Sequence, residues 1–173
     1  MKKLPLPLTK QQAMQLRAGD SVLISGTILT ARDCAHKRIA EYIAEGKELP
    51  FELKDAIINY AGPCPAKPGM ASRSCGPTTS ARMDSFAPTL LDMGLGGMIG
   101  KGEMCREVAK ALERNTAVYF AAIGGAGALY GNAIKSSECI AFEDLLSEAV
   151  YRLEVEDFPA VVAMDCRGGN IYR

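Results

Sequence analysis

Apolar runs and amphipathic stretches alternate along the first two thirds of the chain. The segment from Ser21 to Leu29 is rich in Val, Ile, Leu and Thr, which predicts a buried strand. The residues after Asp33 place an apolar face at helical spacing, formed by Ala35, Ile39, Tyr42 and Ile43. We predict a helix there that Asp33 caps and that ends near Gly46. Such alternation is typical of a layered α/β domain.

Similar patterns run through the rest of the chain. Thr9 and Gln12 form a capping-box pattern for a short helix that Gly19 ends. Further helices are predicted around Leu90, Leu91 and Met93, ending near Gly94, and at about 103–114. Strands are predicted at 56–61, 116–123, 138–142, 151–155 and 159–165, with a loop at 62–69 and a tight turn at 167–170. Because strands dominate the last third, we expect a mixed sheet and a single domain over residues 1–173.

Composition limits which partners the chain can attract. Twenty basic side chains balance twenty acidic ones, so no long-range field would attract nucleic acid or an anionic membrane. No apolar run reaches the ~20 residues of a membrane span. The first twelve residues lack the apolar core of a signal peptide, so we expect a cytoplasmic protein.

The six cysteines are spread along the chain without a Cys-x-x-Cys pair. That spacing fits neither a zinc ribbon nor a ferredoxin-type cluster loop, so we expect reduced thiols that mainly fill the core. We find no metal-ligand cluster of recognisable spacing and no Gly-x-Ser-x-Gly elbow of a serine hydrolase.

The most informative stretch is Gly76-Pro-Thr-Thr-Ser-Ala-Arg-Met-Asp84. Thr79 or Ser80 could cap a following helix, and Arg82 would then lie near its first turn. Free N–H groups at a helix start and a planar guanidinium form a receptor for a carboxylate or phosphate. The alternative is an ordinary helix cap beside a solvated arginine.

A second candidate cluster follows the first long strand. Arg32 and Asp33 lie at the predicted strand-to-helix turn, where side chains can reach a shared crevice. His36 is the only histidine, and the Asp33 carboxylate could orient its ring. In the alternative, Asp33 only caps the helix and His36 lies on its polar face.

Two glycine-rich segments complete the candidates. The run from Leu95 to Gly102 places Lys101 just before a predicted helix and could cradle an anion, although glycines chosen for a turn are equally common. Gly125-x-Gly127-x-x-x-Gly131 is a near miss to the dinucleotide fingerprint, and we interpret it as a packing turn.

Three cations with nearby hydroxyls suit a small dicarboxylate: Arg32, Arg82 and Lys101.

Taken in order, several of these segments resemble the β subunit of iron–sulfur hydro-lyases, the class I fumarase and L(+)-tartrate dehydratase group. The segments that carry the resemblance are Val22–Ile28, Ala31–His36, Ala61–Gly69, Gly76–Asp84, Ile99–Gly102 and Val155–Pro159. The resemblance covers nearly the whole chain and is equivalent to the C-terminal domain of single-chain class I fumarases.

The resemblance implies a swivelling β/β/α three-layer domain that works beside an α subunit carrying a [4Fe–4S] cluster, in an α2β2 assembly. It implies that Arg32, Arg82 and Lys101 bind the substrate carboxylates and that Thr78 is the catalytic threonine. Asp33, His36, Thr79 and Gly100 would support the site, and no metal ligand is implied in this chain. The implied reaction is the hydration of fumarate to malate.

Three alternatives remain open at this point. The chain could belong to an L(+)-tartrate dehydratase that converts tartrate to oxaloacetate. It could instead be a non-enzymatic anion-binding module with the same fold. The third alternative is a nucleotide-binding domain that uses the Gly125–Gly131 segment.

Overall fold

The computed structural model describes residues 1–63, 68–69, 75–122 and 127–173. In this part of the chain, seven strands form one mixed sheet with the order β1-β2-β3-β4-β5-β7-β6. The strands are β1 (Lys2–Pro5), β2 (Ser21–Thr30), β3 (Ile57–Asn59), β4 (Gly97–Gly100), β5 (Val118–Ala121), β6 (Ile134–Ala141) and β7 (Val150–Met164).

Strands β1 to β5 are parallel to their neighbours, whereas β7 runs antiparallel to β5 and β6. β7 also pairs antiparallel with β2, from Ser21↔Val161 to Thr30↔Tyr151. Because β7 pairs with both β5 and β2, the strands β2, β3, β4, β5 and β7 form a closed ring. The predicted mixed sheet and α/β class are confirmed.

Short helices connect the strands. They are α1 (Lys10–Gln15), α2 (Asp33–Ala44), α3 (Ala87–Asp92), α4 (Arg106–Asn115) and α5 (Gly127–Ala133), with 3₁₀ helices at Ser80–Met83 and Glu143–Glu148. The predicted capping box is present, because the Gln12 amide donates to Thr9 Oγ1 and the Thr9 amide donates to Gln12 Oε1. None of the described helices combines the length and hydrophobicity that crossing a membrane requires.

The sheet separates two hydrophobic cores because side chains alternate between its faces. Met98 of β4 packs into one core with residues of α2, α3 and α4, such as Ile39, Leu91 and Leu112. Its neighbour Ile99 packs into the other core. All five strands of the ring contribute to that second core, together with β1, α1 and α5.

Three predicted elements differ from the structure. The glycine-rich run up to Gly102 was expected to be an anion-binding loop or a turn, but Gly97–Gly100 forms the buried strand β4. A Cβ on Gly97 would lie 2.5 Å from the Val118 carbonyl oxygen, so glycine here permits a close approach to β5. The predicted turn at 124–131 is wrong for its described part, since residues 127–133 form α5.

The third difference concerns the last strands, because the predicted pair at 151–155 and 159–165 is one long strand, β7. The register shifts between the Ile24 and Gly26 pairings, and Asp157 has a positive φ of 51° at this bulge. A bulge bends a strand, which lets β7 contact β6 at one end and β5 at the other. Half of the predicted 62–69 loop, residues 64–67, lies outside the described residues.

Candidate active site

Several of the predicted site residues lie at the carboxyl ends of parallel strands. Arg32 and Asp33 follow β2, and Tyr60 follows β3. Lys101 directly follows β4. Because β2, β3 and β4 are adjacent and parallel, these ends meet at one edge of the sheet.

The segment from Pro77 to Ser80 lies between the ends of β3 and β4. Pro77 pairs antiparallel with Ala61, and the Thr78 amide donates to the Tyr60 carbonyl at 2.7 Å. On the other side, Thr79 pairs in parallel with Lys101. Backbone hydrogen bonds thus hold both threonines at the edge that carries Lys101.

Thr79 takes the N-cap position that the sequence suggested, but its side chain does not cap the helix. Only a four-residue 3₁₀ helix follows, Ser80–Met83, and the Thr79 side chain makes no capping hydrogen bond. Ser80 is fully buried, and its Oγ accepts from the Lys101 amide at 2.9 Å. The Ser80 hydroxyl therefore bonds to the residue after β4 and does not bond to free amides at a helix start.

Arg82 joins two of the predicted clusters. Its Nη2 lies 2.6 Å from Asp33 Oδ2, and its Nη1 donates to Thr78 Oγ1 at 3.3 Å. The Arg82 side chain is 52% exposed, so the ion pair contributes at most about 1 kcal/mol to stability. Arg82 is thus not a freely solvated side chain, and it links Thr78 to Asp33.

Asp33 does not cap α2 as predicted. The N-cap residue is Arg32, without a side-chain capping bond, and Asp33 is the first helical residue. A carboxylate in the first turn interacts favourably with the helix dipole, which suits Asp33 for this place. The Arg32 Nε is buried and has no hydrogen-bond partner among the described residues, so this donor remains available at the strand edge.

A carboxylate that the sequence did not indicate lies close to this turn. Glu148 accepts from the Cys34 amide at 3.4 Å and from the Cys34 thiol at 3.2 Å. The Cys34 hydrogen bonds lower the pKa of Glu148, and the nearby charges of Arg32 and Arg82 lower it further. Glu148 is distant from Cys34 in sequence, so no local pattern could have signalled the contact.

His36 lies in the core and not on the polar face of α2. It is fully buried beside Tyr60 and Phe86, with ring centroids 5.4 and 5.6 Å away. Its Nδ1 donates to the Arg32 carbonyl at 2.8 Å, whereas Nε2 has no hydrogen-bond partner among the described residues. Burial lowers the pKa of His36, so the ring is neutral and braces the turn that carries Arg32.

Lys101 and Gly100 adjoin the same segment. Lys101 is exposed, and no described residue pairs with its ammonium group. The helix predicted directly after Lys101 begins only at Arg106, so Lys101 does not lie at a helix start. A Cβ on Gly100 would lie 1.8 Å from Ser80 Oγ, which explains why this position is glycine.

The structure therefore brings Thr78, Arg82 and Asp33 into contact and places Lys101 beside them. Arg32 follows the neighbouring strand end. Guanidinium and ammonium groups at one edge of the sheet suit the binding of carboxylates. Within the described ranges, no cluster of three or more His, Cys, Asp or Glu side chains could hold a metal ion.

Comparison with known proteins finds relatives over nearly the whole chain. A family model described as fumarase C-terminus matches residues 2–173. Fumarate hydratase 2 of Leishmania major is 39% identical over 173 residues, covering 98% of this chain and 30% of that protein. The anaerobic class I fumarate hydratase of Escherichia coli K12 is 39% identical over 172 residues, covering 98% and 31%. The chain thus spans less than a third of these two relatives.

A further relative is close to this chain in length. It is named "Putative L(+)-tartrate dehydratase subunit beta" and comes from Methanocaldococcus jannaschii. The two sequences are 42% identical over 171 residues, covering 95% of this chain and 88% of the relative.

Proposed function

Since the chain belongs to the fumarase C-terminus family, we propose that it is the β subunit of an iron–sulfur-dependent hydro-lyase. The proposed reaction is the reversible hydration of fumarate to (S)-malate. The relatives named fumarate hydratase support this reaction, and the relative named as a subunit supports a separate partner chain.

One observation supports the proposal most directly. Arg82 contacts both Thr78 and Asp33 at the strand edge that carries Lys101. A dicarboxylate needs two cationic binding points with a proton-transferring group between them. Arg32, Arg82 and Lys101 would bind the carboxylates, and Thr78 would move the proton at the carbon between them.

The contact between Arg82 and Thr78 suits this role. Because Nη1 of Arg82 donates to Thr78 Oγ1, the threonine proton is left free for transfer. The positive charge also stabilises negative charge that develops on Oγ1. A threonine hydroxyl is a weak base, so an additional carboxylate is needed, which we expect from the partner subunit.

The described residues do not fit a cluster-binding site. No group of three suitable ligands is found among them, and Cys34 is engaged with Glu148. We therefore propose that an α subunit holds the [4Fe–4S] cluster and that the two chains form an α2β2 assembly. This chain would contribute carboxylate binding and Thr78.

The test is activity of the chain together with its α subunit, reconstituted anaerobically with iron and sulfide. We expect fumarate-to-malate turnover that Thr78→Ala abolishes without loss of folding. Thr89→Ala is a matched control, because Thr89 is an exposed threonine on α3. Turnover of no hydroxy-diacid by the complex would refute the proposal, and normal rates in Thr78→Ala would refute the role of Thr78.

L(+)-tartrate is the second candidate substrate, because a relative of similar length to this chain is named for tartrate dehydration. The same complex should be assayed with tartrate, measuring oxaloacetate. A higher kcat/KM for tartrate than for malate or fumarate would favour this alternative. Binding of dicarboxylates without turnover would instead favour an anion-binding module.

A further inference from the structure

Two buried hydroxyl groups link the strand ends that carry the proposed site. Ser80 Oγ lies 2.9 Å from the Lys101 amide and 2.8 Å from the Tyr119 hydroxyl. The Tyr119 hydroxyl lies 2.7 Å from the Gly102 carbonyl oxygen. Ser80 and Tyr119 are both fully buried. Neither residue was predicted from the sequence to act in this way.

The chemistry of these groups fixes the direction of each of the three hydrogen bonds. The Gly102 carbonyl can only accept, so the Tyr119 hydroxyl donates to it. The Ser80 hydroxyl must then donate to the Tyr119 oxygen, while Ser80 Oγ accepts from the Lys101 amide. Each proton has an acceptor, and the network is fully satisfied in a buried environment.

The network joins the two segments that carry the proposed catalytic and binding side chains. Ser80 lies between Thr78 and Arg82 on one segment, and Lys101 lies on the other. The Ser80 amide also donates to the Lys101 carbonyl at 2.9 Å, so the two residues are bonded in both directions. Gly100 leaves no space for an atom at its Cβ position beside Ser80 Oγ, which limits movement between the segments.

We propose that Ser80 is a positioning residue that, with Tyr119, sets the distance between Lys101 and the Thr78–Arg82 segment. This inference rests on the proposed function, because it assigns Lys101 to one carboxylate and Thr78 to the proton transfer. A displaced segment would weaken dicarboxylate binding and misalign the threonine. Both KM and kcat should therefore change when the Ser80 hydroxyl is removed.

The first test uses hydrogen exchange measured by NMR on the full chain, without the partner. Ser80→Ala should accelerate exchange of the Lys101 amide by about 10-fold or more, because that amide loses its acceptor. The Ala122 amide, which donates to the Gly100 carbonyl at 2.8 Å, should stay protected. Ser136→Ala is the matched control, since Ser136 is an exposed serine on β6. Unchanged Lys101 exchange in Ser80→Ala would overturn the inference.

The second test uses the complete complex of both subunits. We expect Ser80→Ala to raise the KM for the dicarboxylate and to lower kcat, with a combined loss in kcat/KM of about 10- to 100-fold. A purely structural role would reduce the yield of folded protein but leave the KM of the folded fraction unchanged. Wild-type KM and kcat in Ser80→Ala would therefore overturn the positioning role.

Tyr119→Phe keeps the inference testable if Ser80→Ala does not fold. It removes one hydroxyl, leaves the Ser80–Lys101 contact in place and should produce a smaller change of the same kind. If Tyr119→Phe keeps wild-type kinetics and wild-type exchange of the Lys101 amide, Tyr119 has no part in positioning Lys101. If the wild-type complex has no hydro-lyase activity, the proposed function fails, whereas the exchange experiment still decides whether Ser80 holds Lys101.

Discussion

Gly100 faces Ser80 so closely that a Cβ on residue 100 would lie 1.8 Å from Ser80 Oγ. This contact explains a glycine at the end of a buried strand, where glycine is otherwise unfavourable. The Ser80 hydroxyl therefore fits only because residue 100 has no side chain. The two residues are therefore expected to be energetically coupled.

We expect Gly100→Ala to lower the free energy of unfolding by about 1–3 kcal/mol or more, because the added methyl group overlaps Ser80 Oγ in a packed interior. Removing that oxygen should relieve part of the overlap. In the Gly100→Ala/Ser80→Ala double variant, the nearest atoms would be Tyr60 Cδ2 at 3.0 Å and residue 80 Cβ at 3.2 Å. Urea unfolding should therefore give a double variant that is more stable than the sum of the single effects predicts.

Gly76→Ala is the matched control for this cycle. Among the described residues, a Cβ on Gly76 would meet only the Gly127 Cα, at an ordinary distance of 3.8 Å. Its stability should change little, and it should not couple to Ser80→Ala. Strictly additive effects of Gly100→Ala and Ser80→Ala would contradict the contact between residues 80 and 100.

The ion pair between Asp33 and Arg82 leads to a prediction about activity. Asp33→Asn removes the negative charge that holds the Arg82 guanidinium beside Thr78. We expect a loss of about 10-fold in kcat/KM of the complex, with little change in Tm because the pair is partly exposed. Steady-state kinetics and thermal unfolding should be measured on the same samples.

Asp92→Asn is the control for loss of a surface ion pair. Asp92 accepts from Arg114 Nε and Nη2, both at 2.8 Å, and this contact joins α3 to α4 on exposed side chains. Its removal should leave kcat/KM unchanged. Equal kinetic effects of the two variants would show that Asp33 has no specific role in positioning Arg82.

Elements that depend on local sequence were well predicted. The capping box at Thr9 and Gln12, the strand β2 and the apolar face of α2 all follow from neighbouring residues. The residues alone suggested that Arg82 and Lys101 act together as cations near hydroxyl groups, whereas the role of Thr78 was implied by the family resemblance. The structure supplies the physical basis of their association, because the 77–80 segment pairs with the ends of both β3 and β4.

The errors concern residues whose environment comes from distant segments. One of the two alternatives for His36 placed it on the polar face of its helix, yet Tyr60 and Phe86 enclose it. Ser80 was one of two residues considered as a helix cap, yet its hydroxyl contacts Lys101 and Tyr119. Periodicity within one helix cannot reveal which tertiary partners cover it, and an isolated Glu148 carries no pattern at all.

Glu148 and Cys34 allow a chemical test of the turn before α2. The hydrogen bond to the Glu148 carboxylate raises the pKa of the Cys34 thiol, with further contributions from burial and charge. Glu148→Gln removes this negative charge, so a larger fraction of Cys34 is thiolate at a given pH. Because the thiolate is the nucleophile, iodoacetamide should alkylate Cys34 faster at pH 8 in this variant.

Mass spectrometry can follow each cysteine separately in this experiment. Cys139 is exposed and serves as an internal control whose alkylation rate should stay constant. An unchanged or lower rate at Cys34 in Glu148→Gln would contradict the assigned contact. An equal increase in the alkylation rate of Cys139 would instead indicate that the substitution destabilises the whole fold.

His36 makes a specific contribution to the pH dependence of stability. It is the only histidine of the sequence, so it is the side chain whose ordinary pKa of 6.5 lies near neutrality. Burial lowers its pKa in the folded state, with Nδ1 donating to the Arg32 carbonyl. Below pH 6.5 the unfolded chain therefore binds a proton that the folded chain does not bind.

This linkage predicts that the free energy of unfolding is maintained above pH 6.5 and falls as the pH decreases below it. The slope should approach ~1.4 kcal/mol per pH unit until the folded-state pKa is reached. His36→Phe keeps an aromatic ring between Tyr60 and Phe86 but cannot bind the proton, so its slope between pH 6.5 and 5.5 should be smaller. Urea unfolding at several pH values checks this, with slopes compared rather than absolute stabilities, because His36→Phe also loses the bond to Arg32. Identical slopes in both proteins would mean that the imidazole binds its proton equally well in the folded and unfolded states, which is incompatible with its buried, neutral position.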